Sequence, residues 1–382
     1  MSRSSRSFLG EIATQSLTRT QQQSQRSLPH DPAPLSFSDN DYLGLSRHPA
    51  VLDSAERALR DFGASARAAR LLAGPCPEHL LLEESLASWK STDRALLFST
   101  GYVTPLGVIP ALVGPKDTVI LERHAHACLF DGAKLSSARL RLFHRQDTSE
   151  LEKTLASATQ LNPDGKILIV VESLHSMDGD WAPLAEIIRL KEQAGAWLLL
   201  DEAHASGICG PAGAGLAAQL GLANQIEIQM GTLGKALGSS GGFVAGSWHI
   251  IDHLLNEART FLFGTALAHA SVAAAHASLA IVLSQEGDEL RQKLHRNINQ
   301  FRSSFPTQST GPIQPIPCGS NSSATEAAKL LRNSGVDVPA IRTPTVLEGT
   351  ARLRVSLSSR HSAYEISKLT TALASLPKQT SQ

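Results

Sequence analysis

Residues 198–207 read LLLDEAHASG. Three leucines running into Asp201 describe a strand covered on both faces, with a carboxylate at its C-terminal end and His204 just beyond. In open α/β sheets, ligands bind at that end of the strands. One reading of D-E-A-H after an apolar strand is the metal-binding element of a helicase, which requires a phosphate loop elsewhere in the chain. The glycine-rich lysine segment GTLGKALGSSGG (231–242) fails as that loop. Position 229 is Gln where the loop's first Gly belongs, and Ala236 stands where a magnesium-binding hydroxyl is needed.

Outward from this strand the chain alternates. RALLFS (94–99), DTVILE (117–122), KILIVVES (166–173) and AWLLLDEA (196–203) are β-rich runs; helical patterns follow from Gly101, from His126 and over Pro183–Ala194. Alternation of this kind predicts βαβ units and an α/β fold with a mostly parallel sheet. Upstream, Pro49–Phe62 reads as a helix with Pro in its first turn and Gly63 past its end. Downstream, the Ala-rich stretch Ala266–Leu283 runs on into a charged helical pattern through Phe305, a long connector. Residues 306–322, rich in Pro, Gly, Ser and Asn, mark a boundary. IQPIPC, a helix near Ala324–Asn333, VDVPAI, ARLRVSL and a last helix from Ser362 then make a smaller C-terminal α/β domain. The expected division is an N-terminal segment 1–38, a large domain 39–283, and a connector helix with a small domain over 284–382.

Composition excludes several classes of function. A chain of 382 residues exceeds one ordinary core of ~100–200 residues, in keeping with two domains. The 35 basic and 35 acidic residues cancel, so neither nucleic acid nor an anionic membrane is an expected partner. Cys76, Cys128, Cys209 and Cys318 are scattered without a C-x-x-C pair, so no metal site and no disulfide framework is expected, and a reducing cytoplasmic setting is. The Ser/Arg-rich start lacks the apolar stretch of a secretory signal, and no apolar run approaches the ~18 residues a membrane helix needs.

Taken singly, Asp201 is a turn-capping carboxylate and Lys235 a solvated lysine. Together with His204 they fit the needs of pyridoxal phosphate: a lysine for its aldehyde carbon, a carboxylate to keep its ring nitrogen protonated, and a donor to its phenolic oxygen. A free lysine, with a pKa of ~10.4, is almost wholly protonated near neutrality and a poor nucleophile. A carboxylate at a buried strand end favours the charged ring.

Six motifs in order, SDNDYLGLSRHP, HAHACLFDG, ESLHSMDGDWAPL, DEAHASG, GTLGKALGSSGG and GTARLRVSL, resemble those of the α-oxoamine synthases. These are pyridoxal phosphate enzymes of the aspartate-aminotransferase fold, and the likeness runs from about Ser36 to the final helix. The resemblance implies that Lys235 carries pyridoxal 5'-phosphate, that Asp201 pairs with its ring nitrogen, that His204 and Ser176 lie by its phenolic oxygen, and that His126 stacks on the ring. Gly101 and Tyr102 of STGYVTPLG (99–107), with Thr232, match the phosphate-binding elements, where a helix N-terminus suits an anion. Asn40 and Arg354 match the residues that hold the amino-acid carboxylate, with Arg352 close by.

Within the family, AIRTPTVLEGTARLR (340–354) most resembles the member that joins L-alanine to a pimeloyl thioester, of coenzyme A or acyl-carrier protein, in biotin biosynthesis. Arg342 and Thr345 then become acyl-chain or carrier contacts, with Arg26 as a further arginine, in a cytoplasmic homodimeric acyltransferase. The alternatives are a relative that uses glycine or serine with another acyl-coenzyme A, and a non-catalytic partner subunit, against which the intact Lys235, Asp201 and His204 argue. Two departures stand out. ASARAAR (64–70), ending in the matching Arg70, replaces the glycine-rich G-S-G-G-S-R, and His175 replaces a usual aromatic.

Overall fold

Asp201 does close a strand. The computed structural model describes residues 8–22, 24–26, 35–72 and 76–377. Contacts divide the chain into a larger unit, residues 40–296 with 358–360, and a smaller one that gathers the residues up to Asp39 with 297–357 and those from His361 on.

The larger unit is built on a seven-stranded sheet. Its strands are β1 (Arg94–Phe98), β2 (Thr118–Glu122), β3 (Arg139–Phe143), β4 (Ile167–Glu172), β5 (Trp197–Asp201), β6 (Ile228–Thr232) and β7 (Gly242–Gly246), in the order β1-β7-β6-β5-β4-β2-β3. β2, β3, β4, β5 and β6 pair in parallel, while β7 runs antiparallel to both β6 and β1. The central strands are apolar because helices cover both faces: every residue of β4 is buried, and Leu198, Leu199 and Leu200 are fully so. Each such leucine contributes about 1.5–3 kcal/mol of burial free energy. β3 is one of the two edges, where Arg139 stays exposed.

Most helices lie where the pattern places them. Pro49–Phe62 begins with its proline and ends at Gly63, whose φ of 83° is a backbone angle few other residues adopt. The expected long connector is two helices, His269–Val282 and Gln285–Ser304. The break at Leu283 and Ser284 is stitched by Arg291, whose Nη1 donates to the carbonyl of Val282 at 2.9 Å. The contact division falls inside the second of these helices, between Arg296 and Asn297.

The smaller unit holds a three-stranded antiparallel sheet of β8 (Ile313–Gly319), β9 (Ala340–Ile341) and β10 (Ala351–Ser356), in the order β8-β10-β9. VDVPAI contributes only its last two residues as strand. The final helix, Ala363–Ala374, starts from a reciprocal cap in which Ser362 and Glu365 bond each other's backbone N–H. Ser36 bridges Asp337, which is why the residues before Asn40 group with this unit. Among the described residues, no helix is long and apolar enough to cross a membrane.

Candidate active site

In the larger unit, the chemistry-bearing residues collect at the C-terminal ends of β1, β2, β4, β5 and β6, where the loops leave a parallel sheet. Asp201 is the last residue of β5, and Lys235 lies in the loop between β6 and β7. The loop is tight. Leu233 N–H donates to the carbonyl of Gly241 at 3.0 Å, Ser239 N–H to that of Leu233 at 2.9 Å, and Gly238 N–H to that of Lys235 at 2.9 Å. Its small residues answer to backbone packing. A Cβ on Gly207 would lie 2.5 Å from that of Ala236, and one on Gly238, at φ 57°, would lie 2.3 Å from the Ser46 nitrogen. Backbone hydrogen bonds thus tie the loop closely, and Lys235 is its one charged side chain.

Lys235 Nζ is 2.7 Å from His204 Nε2, and His204 Nδ1 is 2.7 Å from the hydroxyl of Tyr42. The hydroxyl in turn donates to Asn40 Oδ1 at 3.1 Å. These directions fix the tautomer: a hydroxyl that gives its proton to Asn40 accepts from Nδ1–H, leaving Nε2 as the acceptor for the lysine. Tyr42, fully buried, is the member of this chain that the sequence reading passed over, although it sits inside the quoted SDNDYLGLSRHP.

Asp201 is buried, and one backbone N–H, that of Ala203, reaches its carboxylate at 2.9 Å. Burial and the neighbouring Glu172 push its pKa up to about 7, against the pull of Lys235. It is a carboxylate short of positive charge. Glu172, at the end of β4, accepts from the N–H of His126 at 2.7 Å and of Ser176 at 3.1 Å, and so fastens two loops of the site. Its own N–H donates to Glu122 Oε1 at 2.9 Å. Burial beside Glu172 raises Glu122 well above the usual carboxylate range, with Arg145 as a partial counter-charge. Neither glutamate was singled out from sequence. Their signal was a carboxylate at the end of each apolar run, DTVILE and KILIVVES.

His126 caps the helix Ala127–Leu135, its Nδ1 accepting from Cys128 N–H at 3.3 Å, and its ring meets that of Tyr102 edge-on at 6.1 Å. Burial lowers its pKa. His175 behaves differently: burial pushes its ring down, but the Asp178 and Glu172 carboxylates carry it up to about 9. Gly101 and Tyr102 lead into the helix Val103–Leu112, and Gly101 packs on Thr232, since a Cβ there would stand 3.1 Å from Thr232 Oγ1. That hydroxyl donates to the carbonyl of Gly241 at 2.9 Å and accepts from Gly234 N–H at 3.2 Å. Arg67 takes a φ of 67°, a left-handed angle suited to the glycine it replaces, and Arg70 forms a two-point pair with Glu83 at 3.2 and 3.3 Å.

The other expected residues belong to the smaller unit. Arg354 on β10 is buried and donates from Nη1 to Ser356 Oγ at 2.8 Å, whereas Arg352 donates to the carbonyl of Thr350 at 3.1 Å and keeps part of its surface. Arg26 Nη2 donates to Thr345 Oγ1 at 3.0 Å, and Arg342 Nη2 to the carbonyl of Gln25 at 3.3 Å. Arg26 also lines an open cleft of about 610 Å³, together with Arg19, Gln25, Thr343 and Pro344.

Residues 33–373 match the family Aminotransferase class I and II. The chain belongs to this family. Within it the likeness is to the α-oxoamine synthases. The 8-amino-7-oxononanoate synthase of Methylococcus capsulatus is 44% identical over 352 residues, 90% of this chain and 89% of its own. That of Aromatoleum aromaticum is 40% identical over 386 residues, 97% of each. Among solved structures, serine palmitoyltransferase from S. paucimobilis with bound PLP–myriocin superposes with a TM-score of 0.89 at 26% identity, covering 96% of this chain and 97% of that one. The 8-amino-7-oxononanoate synthase of Francisella tularensis gives 0.72 at 26% identity, covering 89% and 96%.

The family's cofactor, pyridoxal 5'-phosphate, is this chain's cofactor. The residues present fit it. Asp201 is a buried carboxylate whose charged form waits on a cation, Lys235 is an amine held by a neutral imidazole, and Gly101 with Thr232 forms a cradle at a helix start that a Cβ would crowd.

Proposed function

We propose that the enzyme condenses L-alanine with a pimeloyl thioester, with loss of CO₂ and release of the carrier thiol, to give 8-amino-7-oxononanoate for biotin synthesis. The observation that carries this reading is the identity of 40–44% to synthases of that name over about nine-tenths of the chain. Pyridoxal phosphate, when bound, supplies an electron sink for negative charge at the amino acid's α-carbon.

The chain's own groups do the rest in this reading. Asp201 would hold the proton on the ring nitrogen, because a carboxylate left at about 7 by burial is drawn to its charged form by a buried cation. Lys235 holds the cofactor and takes the α-proton, which His204 Nε2, 2.7 Å away, can share. Tyr42 and Asn40 keep His204 in the tautomer that accepts from the lysine. His204 and Ser176 would hold the phenolic oxygen of the cofactor, and His126 would pack on its ring. Gly101, Tyr102 and Thr232 take the phosphate with backbone N–H groups, the hydroxyl and the helix start. Arg354, held by Ser356, has a planar fork suited to a carboxylate, and Asn40 has an amide that can donate to one. Arg26, Arg342 and Thr345 contact the acyl chain or the phosphates of its coenzyme A or acyl-carrier-protein handle. The enzyme works as a cytoplasmic homodimer.

Product analysis with alanine, glycine and serine, each against pimeloyl and longer acyl thioesters, tests the reading. Alanine with the pimeloyl donor is the expected pair. Preference for serine with a long acyl chain, the activity named for its structural neighbour, would replace it.

A further inference from the structure

His79 lies in the first turn of the helix Pro77–Trp89 and is fully buried. Its Nε2 is 2.8 Å from the carbonyl oxygen of Leu267. A carbonyl only accepts, so Nε2 carries the proton and Nδ1 presents a bare lone pair. Among the described residues, that buried Nδ1 has no hydrogen-bond partner. A neutral buried nitrogen with nothing to bind is a costly thing to keep.

Two further donors lie close to the ring. His269 opens the helix His269–Val282, and its Nδ1 is 3.3 Å from Glu78 Oε2. The rings of His79 and His269 meet edge-on at 5.1 Å, and one donor atom from each of Glu78, His79 and His269 lies within 4.8 Å of the other two. Phe62 stacks on His269 at 4.6 Å and gives the group an apolar wall.

We propose that Glu78, His79 and His269 form a binding site for one divalent transition-metal ion of the zinc class, which clamps the starts of the two helices together. Two imidazoles and a carboxylate are a zinc donor set, with a fourth position for water, and they disfavour magnesium and calcium, which take oxygen ligands. Metal–ligand bonds of ~2.0–2.2 Å set the donor atoms of a tetrahedral ion ~3.3–3.6 Å apart. The Glu78–His269 edge already measures 3.3 Å, and the ion requires the remaining edges, within 4.8 Å, to shorten by side-chain rotation. The Nε2–H bond of His79 to a backbone carbonyl is the outer contact that a metal-bound imidazole keeps. The other His/Asp group, His175 with Asp178 and Asp180, lacks such a free lone pair. Both nitrogens of His175 are engaged, by the His124 carbonyl and by Asp178, and Asp180 serves Arg145 and Gln146.

The test uses the chelator-treated holoenzyme titrated with Co²⁺ alone, then with Zn²⁺. One ion per chain, visible absorption bands of tetrahedral cobalt, displacement by zinc, and a rise in thermal midpoint are expected. Glu78→Gln and His269→Ala, each checked for intact fold by its cofactor absorbance, lower the affinity by ~100-fold or more and remove the thermal shift. Glu78→Gln keeps the size of the partly exposed side chain, so it serves if the other variant does not fold. Absence of stoichiometric uptake, or affinity unchanged in the variant that folds, overturns the proposal.

Discussion

Asp201 and Glu202 are neighbours in sequence, both buried, and each lies near a lysine; their surroundings are opposite. Glu202 meets Lys90 at 2.8 Å with both side chains fully buried. Lys90 also donates to Ser206 Oγ at 2.8 Å and to the carbonyl of Ala214 at 2.6 Å, and Glu202 accepts from Ala217 N–H at 3.1 Å. Every proton of that ammonium has an acceptor. Asp201 receives one backbone N–H and is left at about 7, while Lys235 Nζ lies 2.7 Å from an imidazole nitrogen of His204. A buried ion pair that is fully bonded is a structural tie. A buried carboxylate raised to about 7, beside an amine that meets an imidazole, is a pair of groups held ready for a ligand.

Substitutions on the two sides should separate activity from stability. Lys235→Ala is expected to lower turnover by ~10⁴-fold or more with little change in thermal midpoint, measured by product formation and calorimetry. Activity within tenfold of the parent would erase the distinction.

Asp201→Asn should retain cofactor and lose ~10²–10⁴ in turnover number. It should also change how the cofactor-free protein responds to pH. A carboxyl whose folded pKa is raised from 3.8 to about 7 is protonated in the native state and ionised in the unfolded one between those values. Stability then falls as pH rises across that window, by up to about 1.4 kcal/mol per pH unit from this group. Denaturant titrations of the cofactor-free protein at pH 5 and 7 should show a shallower fall for Asp201→Asn than for the parent; equal slopes would remove Asp201 from the account.

Lys90→Met leaves Glu202 buried without its cation and should cost about 3–5 kcal/mol of stability, read from urea unfolding, while turnover per folded molecule stays within about twofold. A smaller effect is expected outside both clusters. Arg342→Ala should raise KM for the pimeloyl thioester by ~10-fold, about 1.4 kcal/mol, and leave the alanine-dependent change in cofactor absorbance intact. Loss of that change would move Arg342 to the amino-acid carboxylate.

The strands that end in Asp201 and Glu172 were legible because burial on both faces demands unbroken apolar runs, and His126, Ser176 and His204 could be proposed for the site because their motifs sit just past those runs. What escaped depended on contacts between distant residues. Nothing local marks Lys90 as the partner of Glu202, or the orphaned nitrogen of His79 as a neighbour of His269. β7 escaped because GGFVAG is short and glycine-flanked, and its close approach to Gly101 and Thr104 appears only in three dimensions. The break between the two long helices is a matter of two residues, Leu283 and Ser284, in an otherwise helical pattern.

The central claim is that Lys235, and not the fully bonded Lys90, is the reactive amine. Borohydride reduction of the holoenzyme followed by peptide mapping tests it directly. The account predicts a stable pyridoxyl label on the peptide that contains Lys235, with Lys90 unmodified. A label on Lys90, or on any lysine other than Lys235, would contradict it.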